Sequence, residues 1–202
     1  EKTLPKIIPH NILKNLYAYL KQKVITSKTN FQRQKAERNL LIVSILLSTG
    51  IRISELCHIQ IKNINLQNQT LHIFGKGKKE RIIFLGDETT VLLLKTYLAN
   101  YCNQSDKYLF PGKFSQKPLT EQSVRLVLKT VREQMNLATA ITPHMFRHSF
   151  ATMLLDNDVD IRYIQQILGH SSISITQIYT HVSQSKQKEI LTSCNPIASV
   201  HN

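Results

Sequence analysis

Apolar positions recur three and four residues apart through most of this chain, and that spacing is helical. After Pro9, Ile12, Leu13, Leu16 and Leu20 share one face, which predicts a first helix. The polar run ITSKTN breaks it. A second helix, about Phe31 to Ser48, carries the apolar stretch LLIVSILLS and is expected to stop at Gly50. A short helix follows in ISELCHI. Near Ile61 the pattern changes. IKNINL, TLHIF and RIIFL are short β-branched or apolar runs separated by QNQ and GKGKKE, which predicts a three-stranded antiparallel sheet with a glycine- and lysine-rich second turn. Helices then resume at about Asp87 to Tyr101 and Thr120 to Met135, with Thr120 as a cap. In ITPHMFRHSFATML, Thr142 reads as an N-cap and Pro143 as the first helical residue, while Phe146, Phe150 and Leu154 form an apolar stripe. A helix from Ile161 to Leu168 has Asp160 as its cap and Gly169 as its stop. A segment from Ser171 to Thr180 and a polar helix from about Ser183 to Thr192 finish the pattern. The expected fold class is mainly α with a small three-stranded antiparallel β-sheet.

Composition narrows the function more than the fold. The chain has 202 residues, room for one ordinary domain or two small ones. A hydrophobic content of 42% marks it as globular. Lysine and arginine number 26 against 13 acidic residues, a net charge of +13. That excess favours a polyphosphate partner, because counterion release rewards a basic face on nucleic acid. A merely basic soluble protein is the alternative. The cysteines, Cys57, Cys102 and Cys194, form no CxxC pair and indicate neither a zinc site nor a disulfide framework. A reducing, cytoplasmic setting fits them. The longest apolar run, Leu40 to Leu47, is too short to span a bilayer.

Several kinds of chemistry are excluded next. No GxxxxGK[ST] phosphate loop is present. DNDVD, Asp156 to Asp160, begins like a calcium loop but has Ile161 at its sixth position and Ile167 at its twelfth. His144 and His148 have the spacing of a metal pair, yet Arg147 between them would repel a cation. No metal and no cofactor are expected. What remains is a set of polar residues close to breaks between elements: Arg52, Lys76, His144, Arg147, His170 and Tyr179. Each has a plain structural alternative. Arg52 could pair with Glu55, Lys76 could be a solvated hairpin tip, and His144 and Arg147 could be satisfied buried polar groups. His170 could cap a helix end, and Tyr179 could be a packed amphipathic side chain. Together they are what metal-free phosphoryl transfer requires. Two arginines can clamp the non-bridging oxygens. A tyrosine can attack the phosphate, a histidine can take its proton or hold the phosphate, and a lysine can protonate the leaving alkoxide.

LLSTGIRISEL, GKGKKERIIFL, ITPHMFRHSFATML and LGHSSISITQIYTHV, in that order, resemble the catalytic domain of the tyrosine recombinases, the phage-integrase family. The branch of chromosome-dimer-resolving and mobile-element integrases looks closest. The resemblance implies a site-specific DNA recombinase that cuts and rejoins strands through a 3′-phosphotyrosyl link. Arg52 then matches the family's first arginine with Glu55 as its support, and Lys76 the hairpin lysine. Lys78 and Lys79 beside it leave the choice of lysine open. His144 and Arg147 match the HxxR pair, His170 the following histidine, and Tyr179 the nucleophile. His148 is read as structural. Lys78, Lys79, Arg81 and Arg125 are candidates for phosphate contact, with a solvated surface as the alternative for each. The partners implied are double-stranded DNA and further copies of the chain in a tetrameric synapse, with no membrane. Residues 1–9 resemble an interdomain linker, 10–182 the catalytic domain, and 183–202 a C-terminal helix and tail that pack on a neighbouring subunit or fold back in cis. The N-terminal DNA-clamping domain is expected outside this chain. A nucleoid-associated, cytoplasmic protein is the corresponding location. Two rivals stand: a type IB topoisomerase-like enzyme with the same residue types, and a catalytically silent DNA-binding module.

Overall fold

The computed structural model describes residues 6–74, 80–103, 105–113, 116–169 and 180–201. Helix α1 spans His10–Ile25, α2 Asn30–Thr49 and α3 Ile53–Cys57. Strands β1, Ile64–Asn65, β2, Thr70–Phe74, and β3, Glu80–Phe84, form an antiparallel sheet in that order. Then come α4, Glu88–Tyr101, α5, Glu121–Gln134, α6, Pro143–Asp156, α7, Ile161–Ile167, α8, Thr180–Ser193, and α9, Ala198–His201. The expected fold class is the observed one.

Helix α2 is the axis. Thr29 caps it by accepting a hydrogen bond from the Gln32 amide, and every residue from Leu40 to Thr49 is buried. A helix that is apolar all round must be covered all round, and α1, α4 and α6 do this. Its buried hydroxyls bond back to their own helix: Ser44 donates to the Leu40 carbonyl at 2.8 Å and Thr49 to that of Ile45 at 2.6 Å. Gly50 ends the helix at φ +61°, a left-handed conformation. A Cβ there would lie 2.5 Å from Phe150 and 2.8 Å from Leu168, so the glycine also lets α6 and the end of α7 close against α2.

The sheet is shorter at its first edge than the run IKNINL suggests. Ile61–Asn63 form a single 3₁₀ turn, and β1 keeps only two residues. The reason is a competing partner. The Ile61 amide donates to the Lys107 carbonyl, and the Leu109 amide to that of Ile59, so the chain before β1 is tied to the segment after α4. In β2 and β3, Leu71, Ile73 and Ile83 are buried, while Phe74 and Ile82 are exposed on the other face.

The chain ends are drawn in. Ile8 is buried in the main core and its amide donates to the Ser149 hydroxyl at 2.9 Å, so this part of the segment read as linker is anchored on the domain. At the other end, Ile190, Leu191, Ile197 and Val200 are buried against the same chain. In this single chain the C-terminal segment lies on its own domain. Asn195 fixes it by donating to the carbonyls of Ser48, Leu85 and Leu191. Helix α9, which the sequence pattern did not predict, packs on α1.

Asp87 joins this end to the body. Its carboxylate accepts from the Thr90 amide at 2.7 Å, capping α4, and meets His201 Nε2 at 3.0 Å. Burial works against the charge, but the hydrogen bonds from His201 and Thr90 outweigh it and hold the carboxyl below its ordinary value. A carboxylate with a lowered folded pKa stabilises the fold above its unfolded pKa, and that contribution is lost as pH falls through the folded value. Asp87→Ala should therefore cost about 1–2 kcal/mol at neutral pH through the lost cap and pair. Urea unfolding is expected to show this gap narrowing below about pH 4. A gap that is constant down to pH ~3 would exclude an ionised Asp87 as its source.

Candidate active site

The turn after α2 places the first arginine. Because Gly50 reverses the helix end, the chain passes Ile51 and starts α3 with Arg52 at its N-cap. Glu55, one turn on and 5% exposed, reaches back to Arg52. Its carboxylate accepts from the Arg52 amide at 3.0 Å and from Arg52 Nη1 at 3.1 Å. Arg52 Nη2 donates to the Gly169 carbonyl at 3.2 Å, and the side chain stays 42% exposed. The structural pairing with Glu55 and an accessible cation are thus both present.

Helix α6 places the second arginine. Thr142 caps it by accepting from the Met145 amide, and Pro143 occupies its first turn. Phe146, Phe150 and Leu154 are fully buried, which orients the helix. Arg147 then points to where two helices end. Its Nη1 donates to the Gly50 carbonyl and its Nη2 to the Leu168 carbonyl, each at 2.7 Å. Carbonyls at helix ends lack intrahelical partners, and a guanidinium satisfies them. Burial, then the charges of Arg52 and Arg81, push the Arg147 guanidinium down to about 10, which leaves it cationic at neutral pH.

His144 is exposed one turn before Arg147. Both line an open cleft of about 340 Å³ with Arg52, Ser54, Pro143, Glu121 and Arg125. Arg125, on α5, is paired with Glu121 at 2.8 Å and faces this cleft. Arg52, Arg147, His144 and Arg125 are therefore brought together. Two further residues have distinct surroundings. His148 is exposed, with no hydrogen bond or ion pair to another of the described residues. The neighbouring Ser149 is buried and accepts from the Ile8 amide. Arg81 does not lie on an open surface. It is 18% exposed and clamps both Glu55 oxygens, Nη1 to Oε1 at 3.1 Å and Nη2 to Oε2 at 3.0 Å. The sequence carried a signal for this: Arg81 has the same strand parity as Ile83, which points inward.

Lys76, Lys78, Lys79, His170 and Tyr179 lie outside the described residues. Their described neighbours are placed. Phe74 pairs with Glu80 at the end of β2 and β3 that flanks the lysines. Gly169, whose carbonyl holds Arg52, directly precedes His170. Thr180 begins α8 directly after Tyr179. Among the described residues no group of three or more histidine, cysteine, aspartate or glutamate side chains could hold a metal ion, and no helix is long and apolar enough to cross a membrane.

Comparison with known proteins gives one consistent family. The model of the phage integrase family matches residues 8–186. A tyrosine recombinase of Agathobacter rectalis is 48% identical over 201 residues, covering 98% of this chain and 65% of that protein. Tyrosine recombinase XerD of Staphylococcus saprophyticus is 39% identical over 173 residues, covering 84% of this chain and 58% of that protein. The chain thus spans less than two thirds of the length of both relatives. Among solved structures, XerA recombinase superposes with a TM-score of 0.69 at 31% identity, covering 96% of this chain and 67% of that one. XerH site-specific recombinase bound to its difH substrate in a pre-cleavage complex superposes with a TM-score of 0.68 at 27% identity, covering 93% and 53%.

Proposed function

The chain belongs to the phage integrase family, as a tyrosine recombinase catalytic domain, and from that premise we propose that it catalyses site-specific DNA strand exchange. The observation that carries the proposal is the anchoring of Arg52 and Arg147. Both are fixed by helix-end carbonyls, and both open on one cleft with His144. Fixed cations cost no reorganisation when charge develops on a phosphate, which is where they accelerate reaction most. The double-stranded DNA partner is supported by the charge of +13 and by the DNA-bound XerH relative.

In the proposed reaction, the Tyr179 oxygen attacks the scissile phosphorus in line. Arg52 and Arg147 hold the non-bridging oxygens, and His144 and His170 hold the phosphate or take the phenol proton. The 5′-oxygen leaves with a proton from Lys76, giving a 3′-phosphotyrosyl link and a free 5′-hydroxyl. The 5′-hydroxyl of a partner strand attacks that link and restores Tyr179. One phosphodiester is exchanged for another, so no external energy source enters the balance. Lys78, Lys79 and Arg125 are assigned to phosphate contact along the duplex, where lysine and arginine fix register without reading sequence. Assembly of copies into a tetramer would exchange the C-terminal segment between subunits, transferring the apolar contacts now made in cis by Ile190, Leu191, Ile197 and Val200. The setting assigned is the cytoplasm, on chromosomal or mobile-element DNA.

The test is covalent capture. The chain is incubated with nicked duplexes of randomised sequence, and adducts are recovered under denaturing conditions. An adduct enriched in particular sequences, whose nucleotide maps to the peptide containing Tyr179, is expected. No adduct on any sequence would leave a silent DNA-binding module. Relaxation of supercoiled plasmid without sequence enrichment would point to type IB topoisomerase-like activity.

A further inference from the structure

On the recombinase reading above, we infer that Arg81 is a positioning residue that holds the Glu55 carboxylate and so keeps the charge of Arg52 available to a phosphate. The first support is saturation. Glu55 accepts four hydrogen bonds, two from Arg81 and two from Arg52, and is 5% exposed. One negative charge is thereby shared between two guanidinium groups. Arg52 keeps net positive character on its accessible side while its orientation remains fixed. Without Arg81, the whole carboxylate would fall to Arg52. A buried ion pair of that kind neutralises the cation and draws it towards the acid.

The second support is placement. Arg81 sits on the inward face of β3 opposite Ile73 and lies against the turn that ends α7. The Arg81 guanidinium packs over the bare α-carbon of Gly169, whose φ of +65° favours glycine, and Gly169 is also held by Arg52. Arg81 therefore joins the strand that follows the lysine turn to the residue that precedes His170. The third support is geometric exclusion. At 18% exposure, against 42% for Arg52, the Arg81 side chain is not laid out for direct contact with a duplex.

The test uses Arg81→Met, Arg81→Lys, Glu55→Gln and the double variant Arg81→Met/Glu55→Gln, with folding checked by circular dichroism and melting. Two readouts are compared. One is affinity for inorganic phosphate by titration calorimetry at constant ionic strength, which needs no DNA site. The other is the rate of adduct formation on the nicked randomised duplexes. Arg81→Met should weaken phosphate binding and slow adduct formation by roughly ten-fold or more, with Arg81→Lys between it and the wild type. Adding Glu55→Gln should recover most of the loss, because the surplus negative charge is removed. A direct phosphate ligand would instead give losses that multiply in the double variant, and that result overturns the inference. Wild-type values for Arg81→Met overturn it as well. If Arg81→Met does not fold, Arg81→Lys with and without Glu55→Gln gives a smaller effect of the same sign. Absence of any wild-type adduct alongside the expected phosphate pattern would reject the recombinase reading and keep the positioning role. A normal wild-type adduct with no Arg81 effect on either readout would do the reverse.

Discussion

Tyr179→Phe is expected to bind DNA with near wild-type affinity and to form no detectable covalent adduct. The substitution removes one oxygen and leaves the ring, so packing and charge hardly change. A phenyl group has no lone pair to attack phosphorus, and no other group restores the step at a comparable rate. The loss should be at least roughly 1,000-fold, the scale seen when a covalent nucleophile is removed. Tyr163 is the internal control. It lies on α7, packs partly buried against an apolar cluster that includes Phe150, Ile164 and Leu191, and is the described tyrosine nearest in sequence. Tyr163→Phe should leave adduct formation intact. An adduct from Tyr179→Phe that disappears in Tyr163→Phe would move the nucleophile to α7.

Arg147→Lys is the second large effect, and the structure shows why conserving charge is insufficient. The guanidinium spans two carbonyls, those of Gly50 and Leu168, each at 2.7 Å. These close the ends of α2 and α7 against α6. A lysine ammonium is a single point on a flexible stem and cannot hold both while facing a phosphate. One helix-end carbonyl is left without its donor, and the bidentate grip on the non-bridging oxygens is lost. Adduct formation should slow by roughly 100-fold or more, with a stability loss of about 1–3 kcal/mol from the unpaired carbonyl. Single-turnover cleavage and urea unfolding on the same preparation separate the two. A variant that cleaves at near wild-type rate would remove Arg147 from the phosphate clamp and leave it a purely structural residue.

Much of the fold was legible in the sequence because its signals are local. Thr120, Thr142 and Asp160 cap helices through bonds to amides two or three residues away, and Gly50 and Gly169 end helices by their own backbone freedom. The failures share a cause. The first strand keeps only two residues of its run because Lys107, more than forty positions on, takes the Ile61 amide. Helix α9 escaped notice because four residues carry no period, and their burial depends on α1 and Asp87.

The candidate site divides in the same way. The sequence by itself determined the residue types, their order, and the family they belong to. It also determined that Arg52 would find Glu55, three positions on. Only the tertiary structure decided that Arg81, twenty-six positions from Glu55, completes that pair. Only it decided that Arg147 is held by carbonyls ninety-seven and twenty-one positions away. A main-chain carbonyl is the same group in every residue, so nothing in the letters marks which one a distant arginine will take. That choice is made by how helices α2, α6 and α7 pack, and packing is a property of the whole apolar core.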